Sequence, residues 1–223
     1  MSAFSRHSPN KSASRLDMRS SQRLPTMMAR VERALKKLYG QYLLSRASRI
    51  VLGGVPQELS GWSVTNRDVL DVTVREDFAR YWEPGTRKAF FAEHVWEHLE
   101  EWQAIRANAN CFEFLKPGGR LRLAVPDGLH PEALYIENVR PGGTGAGAED
   151  HKVLYTYRTL LAGLSRVGFD VELLEYWDEA GSFHCRQWSD HGGRVNRSSR
   201  FDRRNVISPL SYTSLIVDAV KPA

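Results

Sequence analysis

The chain has 223 residues, of which 42% are hydrophobic and 26% are charged, a composition that excludes wholesale disorder and favours one folded domain with tails. Its two cysteines, Cys111 and Cys185, lack CxxC spacing, which argues against a disulfide framework or a thiolate zinc site and favours a reducing, cytoplasmic setting. The formal net charge is +5, but residues 1–50 hold eleven Lys and Arg against two acidic residues, so the basic charge belongs to the N-terminal part.

The chain begins with a basic tail and an amphipathic helix. Residues 1–26 are rich in Ser and Arg and poor in large apolar side chains, so we expect a flexible tail, although a transit peptide has a similar composition. Residues 27–48 predict a helix that packs an apolar stripe on the domain and exposes a basic face. The stripe consists of Met28, Val31, Leu35, Leu38 and Tyr42. The alternative is that this basic N-terminus weakly contacts nucleic acid or an acidic membrane surface.

Residues 49–223 alternate short apolar runs with helical stretches, which is typical of a parallel sheet covered by helices. The predicted strands are Arg49–Gly53, Ser63–Thr65, Val69–Val72, Lys88–Ala92, Arg120–Val125, Asp170–Tyr176 and Ser214–Val220. The predicted helices are Arg75–Trp82, His94–Leu115 and Tyr155–Val167. We therefore expect an α/β domain with a seven-stranded, mostly parallel, Rossmann-like sheet whose last two strands pair antiparallel. No apolar run reaches the roughly 20 residues that cross a bilayer, so no transmembrane segment is predicted.

Polar and glycine residues follow the first two predicted strands. Gly53 and Gly54 end the first strand, where a glycine turn allows the backbone to approach a nucleotide-like ligand, although such a pair taken alone is more often a plain turn. Asn66 and Asp68 follow the second strand, where an acid or amide can accept hydrogen bonds from ribose hydroxyls. Either of these two residues fits that role, and a turn residue is the alternative.

The segment KAFFAEHVWEHL places two titratable residues, Glu93 and His94, directly after a buried strand. Ligands of open parallel sheets bind at the carboxyl ends of the strands, so this junction is expected to lie in the binding crevice. His94, Glu97 and His98 also match the HxxEH spacing of zinc hydrolases, in which two histidines one helical turn apart bind the metal. A strand runs directly into this segment and no third ligand is indicated, so we rank that alternative low.

Three phrases together resemble the predicted S-adenosylmethionine-dependent class I methyltransferases related to the type 11 group. They are KAFFAEHVWEHL, NCFEFLKPGGRLRLAVPDG and DHKVLYTYRTLLAGLSRVGFDVELLEYWDEAG, and the resemblance extends from about Arg49 to the C-terminus. It implies that S-adenosylmethionine lies over the carboxyl ends of the first strands. In that arrangement Gly53 and Gly54 pass under the methionine part, Asn66 meets the ribose, Asp71 and Val72 lie near the adenine, and Glu93 and His94 line the pocket.

Methyl transfer to an unidentified small acceptor such as a metabolite, sugar or lipid is the function that this resemblance implies. The reaction is an in-line displacement that needs alignment and a proton acceptor, so we predict no resident metal. His94 is the predicted base or positioning residue, with His151 and Tyr155 entering from the loop and helix that follow the next strand. An anionic acceptor could be held by the arginine cluster Arg194, Arg197, Arg200, Arg203 and Arg204, for which a solvated loop is the alternative.

A non-catalytic binding protein on the same fold is the principal alternative, because fold alone does not establish activity. Two departures from the family pattern favour it. Val55 stands where the glycine loop commonly has a further small residue, and Asn66 stands where an acid is common.

Overall fold

The computed structural model describes residues 27–54 and 59–223. The predicted flexible tail at residues 1–26 and the departure at Val55 lie outside these described residues. By internal contacts the chain divides into two units, Met1–Leu38 and Tyr39–Ala223. The predicted helix is present as α1, Met27–Arg46.

Only the end of helix α1 from Tyr39 onwards belongs to the larger unit, and there the predicted stripe residue Tyr42 is 55% exposed. Packing of the earlier stripe residues on the domain stays a prediction. Leu44, which lies off the stripe pattern, is buried instead, and its carbonyl accepts a hydrogen bond from Trp82 Nε1 at 2.9 Å. The C-terminal end of the helix is therefore fixed within the larger unit by a residue that the periodicity did not select.

Seven strands form one sheet in the order β2-β1-β3-β4-β7-β5-β6. Their bounds are Arg49–Val51 (β1), Ser63–Val64 (β2), Arg87–Glu93 (β3), Leu115–Pro126 (β4), Asp170–Trp177 (β5), Phe183–Cys185 (β6) and Ser214–Val220 (β7). Strands β2, β1, β3 and β4 pair in parallel, whereas β7 is antiparallel to both β4 and β5, and β6 is antiparallel to β5. The predicted sheet, with antiparallel pairing of its last two predicted strands, is confirmed.

One predicted strand is wrong and another strand was missed. Val69–Val72 forms turns, because the Asn66 carbonyl accepts hydrogen bonds from the amides of Val69 and Leu70 and bends the chain. The seventh strand is instead Phe183–Cys185, which returns from β5 through a tight turn in which the Asp178 carboxylate accepts from Ser182 N. The predicted number of strands was therefore right, but one of the seven is a different segment of the chain.

The helices besides α1 are α2 (Arg75–Ala79), α3 (Glu101–Phe114), α4 (Ala133–Val139) and α5 (Tyr157–Ser165). The predicted continuous helix His94–Leu115 is wrong in its first turns. His94 has a left-handed backbone with φ +56°, and a short 3-10 turn at Trp96–His98 precedes α3. Helix α3 begins only after Glu100, whose side chain and that of Gln103 cap its first turn. Helix α4 is not among the predicted helices.

The core lies on both faces of the sheet. Neighbouring residues Phe90 and Phe91 of β3 are both fully buried and belong to different apolar clusters, as expected for a central strand covered on both sides. The Phe90 side packs against Phe78 and Phe114 from α2 and α3. The Phe91 side is covered by an irregular segment that includes Trp188 and Val195. This second layer brings the segment before β7 close to the ends of β1 and β3.

Candidate functional site

A cavity of about 610 Å³ lies at the carboxyl ends of β1 and β3, where the sequence predicts the ligand. This size falls within the range of about 300–1,000 Å³ that is usual for small-molecule sites. The structure brings four of the predicted cofactor residues together around it. They are Gly53, Asp71, Val72 and His94. Val95, His98, Leu99, Gln103 and Lys152 are among the other lining residues.

Gly53 allows the turn after β1 to pass close to the segment that follows β3. Its φ is +66°, a conformation that favours glycine, and a Cβ placed there would lie 2.8 Å from Val95 Cγ2. Gly54 lines a smaller neighbouring cavity of about 300 Å³. Glu93 lines the same small cavity, and its Oε1 accepts a hydrogen bond from Arg197 N at 2.7 Å.

Asp71 presents an ionised carboxylate at the first cavity. Burial opposes ionisation of this group, but hydrogen bonds from the Thr73 side chain and amide and the charge of Arg67 outweigh it, so the pKa of Asp71 lies below its usual value. Asn66, the predicted ribose contact, is exposed and does not line this cavity. Its Oδ1 accepts from Val69 N at 3.2 Å and closes the turn described above.

A second cavity, of about 810 Å³, lies between the segment from Glu132 to His151 and the segment from Arg197 to Tyr212. Two of its lining side chains, His94 and His98, also line the first cavity. The two cavities therefore adjoin at the residues that follow β3. His151 lines the second cavity as well. Tyr155, the other predicted acceptor-side residue, packs in the core and lines neither cavity, and burial raises its pKa to about 12.

His94 contacts Ser214 through one ring nitrogen and lies beside Glu97 through the other. Ser214 Oγ donates its single hydrogen to Arg197 O at 2.8 Å, so His94 Nε2, which lies 3.1 Å from the same Oγ, is the donor to it. The other ring nitrogen, Nδ1, lies 3.0 Å from a carboxylate oxygen of Glu97. His94 is therefore fixed between β7 and the 3-10 turn.

Glu97, His98 and His151 converge next to His94. Glu97 is fully buried. Burial opposes its ionisation, but the charges of His94 and His98 outweigh this and hold the pKa of Glu97 below its usual value. His151 Nδ1 donates to Val139 O at 2.7 Å, so the neutral ring has its lone pair on Nε2. The rings of His98 and His151 meet edge to face with 4.8 Å between their centroids.

The backbone explains why residues so far apart in the sequence meet at this cluster. The amides of Lys152 and Val153 both donate to the Glu97 carbonyl, at 2.7 Å and 3.3 Å. The segment that carries His151 is thereby fixed against the 3-10 turn that carries Glu97 and His98. The sequence predicts a role for His151 but not its position beside Glu97. The HxxEH spacing is the only sequence feature that pointed to the Glu97 carboxylate.

The arginine cluster is only partly directed at the second cavity. Arg197 and Arg204 line it, and Arg204 is ion-paired with Asp202 at 2.6 Å. Arg194 and Arg200 instead lie over the ring of Phe201. Among the described residues Arg197 has no carboxylate within ion-pairing distance, so it is the cationic side chain most available to a ligand there.

No family model matches the chain, and neither does any curated protein sequence. Solved structures with detectable similarity include an S-adenosylmethionine-dependent methyltransferase of Archaeoglobus fulgidus, 13% identical over 86% of this chain and 92% of that one, with a TM-score of 0.43. An S-adenosylmethionine-dependent methyltransferase of Thermotoga maritima is 12% identical over 86% of this chain and 95% of that one, with a TM-score of 0.45.

A phosphoethanolamine N-methyltransferase of Haemonchus contortus, in complex with S-adenosylmethionine, is 14% identical over 73% of this chain. This chain spans 37% of that protein, with a TM-score of 0.40. With identities and TM-scores this low, the class I methyltransferase fold of the chain is assigned from its strand order and strand directions. Among the described helices, none is both long and apolar enough to cross a membrane.

Proposed function

We propose that this protein transfers a methyl group from S-adenosylmethionine to an acceptor that carries an anionic group. The observation that carries the proposal is the pair of adjoining cavities, one for each reactant, that share His94 and His98 as lining residues. Methyl transfer requires the sulfonium methyl and the attacking atom to meet in line, and two cavities that share a wall are suited to that arrangement.

The first cavity is proposed to hold the methyl donor. Gly53 lines this cavity at the position proposed for the methionine part, and Asp71 and Val72 lie at the position proposed for adenine. The ionised Asp71 carboxylate can accept a hydrogen bond from the amino group of the base or from a ribose hydroxyl, and such charge-assisted bonds are stronger than neutral ones. Contact between Asn66 and the ribose stays a prediction that would require its exposed side chain to turn.

The second cavity is proposed to hold the acceptor. Arg197, which has no ion-pair partner among the described residues, is placed to bind a carboxylate or phosphate of that molecule. His94, whose Nε2 donates to Ser214 Oγ and whose Nδ1 lies 3.0 Å from Glu97, is proposed as a positioning residue that fixes Glu97 and the wall between the cavities, rather than as the base. His151 donates Nδ1–H to Val139 O, so the lone pair of the neutral ring lies on Nε2 at the acceptor cavity, where this nitrogen can accept a proton or bind a cation.

In the proposed reaction the acceptor lone pair attacks the methyl carbon while the bond from that carbon to sulfur breaks. The sulfonium becomes the neutral thioether S-adenosylhomocysteine, and the acceptor loses its proton to a group in the second cavity or to solvent. The chain contributes alignment, exclusion of water from the shared wall and a place for that proton.

Titration calorimetry with S-adenosylmethionine and S-adenosylhomocysteine tests the donor site. We expect Asp71→Asn to weaken binding about 10- to 100-fold, because a hydrogen bond to a charged group contributes roughly 1.5–3 kcal/mol. The matched control is Asp68→Asn, which removes an exposed carboxylate from the same turn without touching the cavity. Absence of binding at millimolar ligand, or equal affinity for wild type and Asp71→Asn, would refute the assignment.

A further inference from the structure

We propose that Glu97, His98 and His151 form a binding site for one divalent transition-metal ion such as Zn²⁺. One ligand atom from each of these residues lies within 4.8 Å of the other two. The set of two imidazoles and one carboxylate is a common ligand set for Zn²⁺ and other first-row divalent ions. This site differs from the HxxEH zinc motif, because His94 is not a ligand in it.

The buried carboxylate of Glu97 is the strongest sign that a cation belongs here. Its side chain is 0% exposed, and neither carboxylate oxygen has a well-aligned hydrogen bond among the described residues. His94 Nδ1 lies 3.0 Å from one of these oxygens, but the contact lacks the direction of a hydrogen bond. A buried carboxylate is costly unless it is fully paired or bound to a metal.

The two histidines are prepared for the same role. The bond from His151 Nδ1 to Val139 O fixes the ring and directs the lone pair of Nε2 away from the backbone, as is usual for metal-binding histidines. His98 has a buried Nδ1 that makes no hydrogen bond among the described residues, and Asp150 Oδ2 lies 3.4 Å from it. Both rings therefore keep an available nitrogen beside Glu97.

The distances indicate a site that closes slightly around its ion. Ligand atoms that each lie about 2.0–2.2 Å from one ion are about 3.4 Å apart in tetrahedral geometry, so the side chains must approach one another by roughly 1 Å. The backbone bonds from Lys152 and Val153 to the Glu97 carbonyl already hold the two segments in register. We therefore expect the side chains, rather than the backbone, to move when the ion binds.

The position of the cluster indicates what the ion would bind next. All three residues line the second cavity, so the remaining coordination positions face it. Three protein ligands with open positions are typical of catalytic rather than structural metal sites. An ion there would bind an oxygen of the molecule in that cavity and favour its deprotonated form. The ion would then replace His151 as the group that makes the acceptor nucleophilic.

The test uses the full chain without a histidine tag, treated with chelator and titrated with Zn²⁺ by calorimetry, with the bound metal counted by mass spectrometry. We expect one ion per chain. The variants Glu97→Gln, His98→Asn and His151→Asn should each weaken binding by at least about 10-fold. The matched control is His184→Asn, which removes an exposed histidine paired with Asp178 at 2.7 Å and should leave binding unchanged.

A second measurement covers the case in which a buried variant fails to fold. Co²⁺ added to the wild-type chain should give the intense visible absorption of a protein-bound four- or five-coordinate ion, and Zn²⁺ should displace it. Lack of stoichiometric binding, or binding that survives all three substitutions in folded variants, would overturn the proposal. The site does not depend on the proposed methyl transfer, because S-adenosylmethionine titrated into the same metal-free chain tests the donor cavity separately.

Discussion

Substitution of Asp218 by Asn is expected to be among the most destabilising single changes in this protein. Asp218 on β7 faces Arg122 on β4, and the two form a bidentate pair with both bonds at 2.7 Å. The Arg122 side chain is 1% exposed and the Asp218 side chain is 5% exposed. Arg122 also donates to the carbonyls of Ser189 and Gly193, which fixes the segment that covers this face of the sheet.

The magnitude follows from what the substitution leaves behind. The introduced amide would keep one acceptor oxygen but no charge, so the Arg122 guanidinium would remain buried without its counter-ion. Removal of one partner of a buried ion pair costs about 3–5 kcal/mol. Because domains are stable by roughly 5–15 kcal/mol, this is a large share of the total.

Arg120→Met provides the matched control. Arg120 contacts the same carboxylate at 3.2 Å, but its side chain is 36% exposed and Asp218 keeps its bidentate partner when Arg120 is lost. This variant should therefore cost less than about 1 kcal/mol. Urea unfolding followed by circular dichroism measures both values. If Asp218→Asn lost no more stability than Arg120→Met, the buried pair would not be the anchor that we infer.

Three further comparisons test other features of the fold. Burial raises the pKa of Asp127 to about 6 from its ordinary value of 3.8, so as the pH rises this carboxyl ionises earlier in the unfolded state than in the folded state. Between pH 4 and 6 the wild type should therefore lose up to about 3 kcal/mol of stability relative to Asp127→Asn. Unfolding free energies of both proteins across that range measure this, and parallel curves would contradict it. Gly53→Ala should destabilise more than Gly118→Ala, because both glycines have φ near +66° to +69° but only at Gly53 would the new Cβ lie 2.8 Å from Val95. Thermal unfolding compares the two, and equal losses would show that Val95 gives way. Because of its φ of +56°, His94→Gly should be more stable than His94→Ala by about 1 kcal/mol, and the reverse order in urea unfolding would show that this backbone is not left-handed in solution.

The sequence predicted the strands whose apolar runs are buried on both faces. Lys88–Ala92 lies inside β3 and Arg120–Val125 lies inside β4, since such runs are continuous and easy to recognise. The strand β6 has only three residues, and its last two are exposed, so it shows no pattern of this kind. Val69–Val72 showed the apolar composition of a strand, but the hydrogen bonds accepted by Asn66 make it a turn. Apolar composition thus identifies strands that are buried on both faces, whereas local hydrogen bonds determine whether a short segment forms a strand or a turn.

The sequence likewise indicated some residues of the candidate site and not others. Gly53 and His94 were identified because they follow strands directly, and ends of parallel strands meet at one edge of a sheet. The contact of His151 with Glu97 was not predictable, because it depends on where the long segment after β4 returns. Two backbone amides that donate to the Glu97 carbonyl hold the returning segment there. Because almost every residue type has a backbone amide, the sequence does not reveal this contact.

The predicted helix beginning at His94 was wrong for a physical reason that also explains the arrangement of the site. A 3-10 turn and an α-helix both bring residues i and i+3 near each other, so the sequence pattern does not distinguish them. In an α-helix His94 and His98 would lie on one face, as a helical zinc motif requires. The left-handed residue at the end of β3 instead sends His94 toward Ser214 and Glu97, while His98 meets His151. The left-handed backbone thus gives the two histidines different partners, one as a proposed positioning residue and the other as a proposed metal ligand, and both line the two cavities.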